Sequence, residues 1–378
     1  MGKVSSYAVR VILINLAVTA CLILTLGIAG ELYLRWHVPS PDYRGLIEKK
    51  SDPTVYRMKP HADMLRQGVG IRTNSDGFRD REFKDPVGEP RFSIAVLGDS
   101  YIFGQGVPQD MTCPALLEKK LNESVKSDFF RVWNLGVSGY NTEQEAFLLA
   151  SFVLPRAPDW VVLGYNINDY EPTTPAFEDM YTNDGAAPRR TSRLQEILDG
   201  QLLVTEFIKH RIGRLIRIFN PRWFASSYVD DILREYHGGG AGWKKVSGLL
   251  SKMNEECKIK GIGFTVAILP VMSDFSHYSF ESVHEIVLSY CYSNEIDCVD
   301  VLPYFRSKNP DEMHVSLLDG HPNALAQKIF SEAIANHLLT HLLQWVCYND
   351  VILTCYPDRK ILWHQDFFGG SRASRGHP

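Results

Sequence analysis

The tripeptide Gly98-Asp99-Ser100 places a serine directly after an apolar run, Phe92–Leu97, that is typical of a buried strand. Open parallel sheets bind ligands at the carboxyl ends of their strands, so this serine lies where a substrate is expected. A serine hydroxyl is a weak nucleophile at its free pKa, and it needs a base and hydrogen-bond donors for an oxyanion. Ser100 is therefore a candidate nucleophile whose partners must come from elsewhere in the chain.

Three later segments offer those partners. Gly136 follows a second strand-like run, and a glycine lets a backbone amide approach a substrate closely. Asn168 follows a third such run and brings a side-chain amide to the same edge of the sheet. Asp319 and His321 stand just before the last predicted helix. Serine, histidine and an acid together supply the nucleophile, the base and the orienting group of acyl transfer.

The order and spacing of these segments resemble the SGNH (GDSL-type) hydrolase family, whose four blocks supply serine, glycine, asparagine and histidine. The resemblance covers about residues 91–343 and matches Ser100, Gly136, Asn168 and His321 to the four blocks. The lead-in Asn74-Ser75-Asp76-Gly77-Phe78-Arg79 is also similar to that of membrane-anchored bacterial members.

The resemblance implies a role for each residue. Ser100 is expected to attack an ester carbonyl while His321 takes its proton and Asp319 orients the imidazole. The oxyanion hole is expected to combine the backbone N–H groups of Ser100 and Gly136 with the side-chain amide of Asn168. Neither the resemblance nor the residue spacing calls for a metal or another cofactor.

The acid departs from the family pattern, which usually places it three residues before the histidine. Asp319 lies two before His321, but residues two apart in an extended segment face the same side. The usual spacing occurs in Asp311-Glu312-Met313-His314, so His314 is an alternative base. His321 is preferred because Pro322-Asn323 and an amphipathic helix follow it, as they do in the family.

The amino-terminal region predicts one transmembrane helix. Residues 10–30 include an uncharged run from Val11 to Gly30 that is long enough to cross a bilayer. Lys3 and Arg10 precede it, so the positive-inside rule keeps residues 1–9 in the cytoplasm and places the rest of the chain in the periplasm or outside the cell. A cleaved signal peptide ending near Ala29 and a lipoprotein site at Cys21 are the alternatives; the length of the apolar run favours a retained anchor.

Composition narrows the partners further. The chain has 378 residues and a net charge of −4, with no zinc-finger spacing or basic tail, which argues against nucleic-acid binding. An oxidising compartment permits disulfides among the seven cysteines, and unpaired buried thiols remain the alternative. Candidate pairs are Cys291/Cys298 and Cys347/Cys355, whereas Cys113 and Cys257 are expected to be unpaired.

Alternating strands and helices over residues 91–343 predict a three-layer α/β/α, flavodoxin-like fold with a parallel five-stranded sheet, preceded by the transmembrane helix. The predicted strands are 92–97, 130–135, 160–165, 263–269 and 298–301. The predicted helices are 112–124, 142–154, 243–259, 279–293 and 323–343.

The remaining segments are expected to have other roles. Residues 31–90 are predicted to form a stalk and an irregular lead-in, and about 170–242 an insertion or lid. The insertion includes a basic amphipathic segment, 202–219, which suits either a membrane surface and an anionic substrate or plain packing on the core. Residues 344–378 are predicted to be a partly disordered tail.

The sequence thus favours a membrane-anchored serine esterase, or acylhydrolase, that acts on an ester or an acylated glycan outside the cytoplasm. An O-acyltransferase or O-acetylesterase of envelope glycans would use the same acyl-serine. A catalytically weak binding module on the same fold is the third hypothesis.

Overall fold

The computed structural model describes residues 6–37, 46–66, 68–83, 92–172, 226–316 and 319–348. The chain divides into two compact units, Met1–His337 and Leu338–Pro378, and of the second unit the structure describes the end of one helix. The predicted amphipathic segment 202–219, most of the insertion and the tail beyond Tyr348 lie outside the described residues.

The first unit is built on a parallel sheet of five strands, in the spatial order β6-β5-β7-β8-β9. The strands are β5 (Phe92–Gly98), β6 (Phe130–Gly136), β7 (Trp160–Asn166), β8 (Gly263–Leu269) and β9 (Asp297–Asp300). Counted along the chain this order is 2-1-3-4-5, the flavodoxin-like arrangement, so the predicted fold is confirmed. Helices cover both faces of such a sheet, which explains why its strands are nearly continuous apolar runs.

Helices follow the strands much as predicted. Those after the first strand are α2 (Ser100–Phe103), α3 (Cys113–Val125), α4 (Thr142–Leu148), α5 (Leu154–Arg156), α6 (Ser226–His237), α7 (Ala241–Lys260), α8 (Glu281–Ser293) and α9 (Ala324–Tyr348). Asn141 begins α4 with a capping box shared with Gln144. Asn323 caps α9 by accepting the N–H groups of Leu325 and Ala326.

The amino-terminal helix α1 spans Ser6–His37. Within it, Arg10–Tyr33 is long and apolar enough to cross a membrane. A signal sequence near the amino terminus passes the same test of length and hydropathy, so the helix is consistent with the predicted anchor and with the alternative.

Two β-hairpins precede the sheet where the sequence predicted a stalk and a lead-in. They pair β1 (Ile47–Lys49) with β2 (Tyr56–Met58), and β3 (Asp63–Arg66) with β4 (Val69–Arg72). The Tyr56 hydroxyl donates to the Ser138 carbonyl oxygen at 2.9 Å, and the Tyr140 hydroxyl donates to the Tyr56 carbonyl oxygen at 2.6 Å. The packed structure around the sheet therefore includes residues from Leu46 onward, and Leu46 itself is fully buried.

The cysteines of the described region are free thiols. Cys113 and Cys257 are buried, as expected for unpaired residues. The thiols of Cys291 and Cys298 are hydrogen-bonded to each other, and this bond raises the pKa of Cys298. Cys355 and the side chain of Cys347 lie outside the described part of the chain.

Candidate active site

The structure brings the predicted serine, histidine and acid into one relay. Nε2 of His321 lies 3.0 Å from Oγ of Ser100, and Nδ1 of His321 lies 2.5 Å from Oδ1 of Asp319. The Asp319 carboxylate also accepts the backbone N–H of His321 at 2.9 Å, which fixes its position beside the ring. The spacing of two residues thus still places the acid on the imidazole.

The last helix fixes His321 against the nucleophile. Gln327, fully buried on α9, donates through Nε2 to the Tyr101 carbonyl oxygen and accepts the Cys113 N–H. The His321 carbonyl oxygen accepts the N–H of Val315, which closes the loop that carries the histidine. The bonds of Gln327 thus join α9 to α2, the helix that begins at Ser100, and to α3.

The alternative base, His314, lies elsewhere. Its Nε2 is 2.8 Å from the carbonyl oxygen of Met272, in the loop after β8. Because His321 contacts the serine and His314 contacts a backbone carbonyl, the geometry favours His321 as the base.

Gly136 does not offer its amide to a ligand. Its N–H donates to Oδ1 of Asn134 at 3.0 Å, and the residue is buried. A Cβ at this position would lie 2.2 Å from the backbone nitrogen of Phe103. The glycine is needed for close packing of β6 against α2, so the predicted role in the oxyanion hole is not supported for this residue.

Gly139, three residues later, is better placed for that role. It has φ +80°, a conformation that favours glycine. Neighbouring bonds hold its loop: Ser138 Oγ lies 3.0 Å from Gln105 Oε1, and Asn141 Nδ2 donates to the Glu171 carbonyl oxygen. Within the described chain the Gly139 N–H has no hydrogen-bond acceptor. The sequence analysis missed this residue, although the second glycine of Gly136-Val137-Ser138-Gly139 was a visible signal.

Two further donors are available. The N–H of Ser100, at the first position of α2, has no acceptor within its own helix. Asn168 is half-buried in the turn after β7, and its carbonyl oxygen accepts the Glu171 N–H. Its side-chain amide makes no hydrogen bond to any described residue, so it is free to meet a ligand.

The profile of the GDSL-like Lipase/Acylhydrolase family matches residues 96–329, which contain the whole relay. The chain belongs to this family. No curated protein sequence matches the chain significantly.

Several solved structures resemble this GDSL-like chain at low sequence identity. A lipolytic protein of the G-D-S-L family from Desulfitobacterium hafniense is 13% identical, with a TM-score of 0.38, over 65% of this chain and 98% of its own. A catalytic mutant of the acetylxylan esterase Axe2 from Geobacillus stearothermophilus is 13% identical, with a TM-score of 0.40, over 66% and 94%. The acetyl xylan esterase AlAXEase is 15% identical, with a TM-score of 0.40, over 66% and 100%.

Three acidic side chains are buried beneath the serine of this GDSL-like protein. Burial raises the pKa of Asp99 to about 6, although the Tyr101 N–H and the nearby His321 charge oppose the rise. Burial also raises the pKa of Glu145 and of Asp169, and repulsion from Asp99 adds to both shifts. Asp99 is thus the carboxyl group of the three that ionises most readily.

An arginine from the lead-in holds the segment that follows the nucleophile. Arg79 is 1% exposed, and its guanidinium donates to the carbonyl oxygens of Phe103 at 3.1 Å, Gly104 at 2.5 Å and Val107 at 2.5 Å. Five donors in a rigid planar group suit such a cluster of carbonyls. The lead-in motif of this GDSL-like chain therefore fixes the loop after Ser100.

Proposed function

We propose that this protein is a membrane-anchored serine ester hydrolase that forms an acyl-serine intermediate outside the cytoplasmic membrane. The observation that carries the proposal is the continuous relay from Asp319 through His321 to Ser100, with heavy-atom distances of 2.5 and 3.0 Å. Membership of a family of lipases and acylhydrolases supports ester bonds as the target.

The reaction follows from these contacts. His321 Nε2 takes the hydroxyl proton as Ser100 Oγ attacks the ester carbonyl, and Asp319 stabilises the imidazolium that forms. The tetrahedral intermediate then expels the alcohol, which receives the proton from His321. Water, deprotonated by His321, attacks the acyl-serine and releases the carboxylic acid and the free serine.

Three donors are proposed to hold the oxyanion of the intermediate. They are the N–H of Ser100, the N–H of Gly139 and the side-chain amide of Asn168. No described residue accepts a hydrogen bond from any of the three. The Gly136 N–H, by contrast, already donates to Asn134. Removing one such donor typically costs about 10²- to 10³-fold in kcat.

The proposed location rests on the amino-terminal helix. Lys3 and Arg10 precede the apolar segment, which favours a cytoplasmic amino terminus and a catalytic unit on the other side. An acylated glycan of the envelope is then an accessible substrate, and a sugar hydroxyl could replace water as the acceptor.

A serine-reactive fluorophosphonate tests the proposal directly. The full-length chain in detergent is expected to be labelled on Ser100 and to hydrolyse short-chain aryl esters. Ser100→Ala should lose both properties, while Ser151→Ala, at an exposed serine between α4 and α5, should keep both. Absence of label on folded wild-type protein would leave a binding module as the better hypothesis, and faster acyl transfer to an added glycan than to water would identify an acyltransferase.

A further inference from the structure

Glu145 is a fully buried acid that the proposed reaction does not use. It lies on α4 at 0% exposure, and neither of its carboxyl oxygens has a hydrogen-bond partner among the described residues. Asp99 and Asp169, its two acidic neighbours, are also buried, at 6% and 4% exposure. A buried ionised carboxylate without hydrogen bonds is strongly disfavoured, so the environment selects the neutral acid.

Each of these acids belongs to a segment that supplies a proposed oxyanion donor. Asp99 precedes Ser100, Asp169 follows Asn168, and α4 begins three residues after Gly139. We call Asp99, Glu145 and Asp169 the acid cluster. It therefore lies where the three donor segments meet.

Asn166 ties two of these segments together. Its side-chain Nδ2 donates to Oδ2 of Asp99 at 3.0 Å, and its backbone N–H donates to Oδ2 of Asp169 at 2.8 Å. The backbone N–H of Thr142, the first residue of α4, donates to the Asp169 carbonyl oxygen at 3.2 Å. A movement of α4 would therefore be transmitted through Thr142, Asp169 and Asn166 to the turns that carry Asn168 and Ser100.

The acid cluster divides its charge unequally. Asp99 accepts hydrogen bonds from the Tyr101 N–H and from Asn166, and its charge is attracted by that of His321. Glu145 accepts none from the described residues, and the negative charge of Asp99 opposes its ionisation. These contacts best stabilise an ionised Asp99 near His321 together with a neutral Glu145 on α4.

We propose that Glu145 is a positioning residue that works as a neutral carboxylic acid, filling the junction of the three donor segments without placing a second negative charge beside Asp99. This rests on the proposed function of Ser100, Asn168 and His321. Ionisation of Glu145 at alkaline pH would repel Asp99 and Asp169, move the nucleophile turn and the Asn168 turn apart, and lower kcat more than it changes KM.

Other titratable groups surround Glu145 and must be considered in its pH dependence. Tyr165 on β7 interacts with it electrostatically and shares a hydroxyl–hydroxyl hydrogen bond with Tyr236 on α6. On the exposed side of α4, Glu143 pairs with Lys245 of α7. Burial raises the pKa of both tyrosines well above the ordinary value.

Glu145→Gln is the decisive variant, because an amide has the shape of a neutral acid and cannot ionise. We expect kcat/KM within about threefold of wild type at neutral pH and an alkaline decline of kcat that moves to higher pH. Glu143→Gln is the matched control: it removes an exposed acid from the same helix and should leave the pH profile unchanged. A kcat that falls about tenfold or more at every pH in Glu145→Gln would overturn the proposal, because the anion would then be required.

A spectroscopic measurement separates this proposal from the proposed function. In Ser100→Ala, which needs no turnover, the infrared carbonyl band of protonated carboxylic acids should be present at neutral pH and weaken when Glu145→Gln is added. An unchanged band would overturn the neutral acid, even if Ser100 labels normally. If Glu145→Gln fails to fold, wild-type protein decides: unfolding at neutral pH should release protons from the buried acids, and no release would overturn the proposal.

Discussion

Two Asp–His–hydroxyl series lie among the described residues, and they differ in what surrounds the histidine and the hydroxyl. The first joins Asp319, His321 and Ser100. In the second, Nδ1 of His284 lies 2.8 Å from Oδ1 of Asp300, and Nε2 of His284 lies 3.3 Å from the hydroxyl of Tyr278.

The two series differ in access and in what the hydroxyl meets. The His321 side chain is 29% exposed, whereas that of His284 is 1% exposed. The Tyr278 hydroxyl accepts the backbone N–H of Val271, and burial raises its pKa far above the ordinary value. The Ser100 hydroxyl instead lies 3.0 Å from Nε2 of His321, which is the base of the proposed mechanism.

The comparison shows that an acid and a histidine in line do not define a catalytic site. The second series satisfies buried polar groups that would otherwise destabilise the fold. In the proposed mechanism, the first gains its chemistry from a hydroxyl that a base can deprotonate and from donors aimed at a developing charge. Substitutions in the two series should therefore affect different measurements.

The largest expected effect is that of His321→Ala. Loss of the base should lower kcat/KM by about 10⁴- to 10⁶-fold while the thermal midpoint stays close to that of wild type. His284→Gln should keep kcat/KM within about tenfold and instead lower the free energy of unfolding by about 1–3 kcal/mol. Ester hydrolysis and urea unfolding of both variants test this, and equal losses of activity would abolish the distinction.

The second largest effect is expected for Asp319→Asn. It should lower kcat by about 10⁴-fold, because the amide cannot stabilise the imidazolium and favours the wrong tautomer. The matched change in the second series is Asp300→Asn. It should leave fluorophosphonate labelling of Ser100 at the wild-type rate and reduce stability. A slow labelling rate in Asp300→Asn would show that the two series are coupled.

Asn168→Ala should retain substrate binding and lose about 10²- to 10³-fold in kcat, as expected for one oxyanion donor. Its KM should change little, because the amide acts on the transition state more than on the ground state. Wild-type turnover in this variant would remove Asn168 from the oxyanion hole.

The smallest effect concerns Asp99, the buried acid next to the first series. Its pKa is about 6 in the folded protein against 3.8 ordinarily, so the folded state holds its proton more tightly than the unfolded state. The associated stability, about 3 kcal/mol in full, is present below pH 4 and is lost as pH rises through 6. The difference in unfolding free energy between wild type and Asp99→Asn should change by about 2 kcal/mol in favour of the variant between pH 4 and pH 6.

The sheet was predictable because its strands are apolar on both faces, and a short apolar run such as Phe92–Leu97 is typical of a buried strand. The short hairpins were not. Their strands have three or four residues, and their stability comes from contacts such as the one between Tyr56 and Ser138, which are 82 positions apart in the chain. Such contacts leave no local pattern.

The candidate site shows the same limit at the level of single groups. Residue types identified Ser100, Asp319 and His321, but they could not show that the Asn134 side chain occupies the Gly136 N–H. Glu145 lies in Thr142-Glu143-Gln144-Glu145, which is as polar as a solvent-exposed helix. Only the packing of α4 between the sheet and α7 makes one of its acids a buried residue.

Arg79 lies outside the segment that matches the family profile, yet the fold of that segment depends on its hydrogen bonds. The family match begins at residue 96, after the arginine whose guanidinium binds three carbonyl oxygens behind the nucleophile. A fragment cut at that boundary would leave those buried acceptors without their donor, at about 1–3 kcal/mol each. A soluble version of the protein should accordingly start at or before Leu46, because the hairpins and Arg79 complete the packing around the segment that follows Ser100.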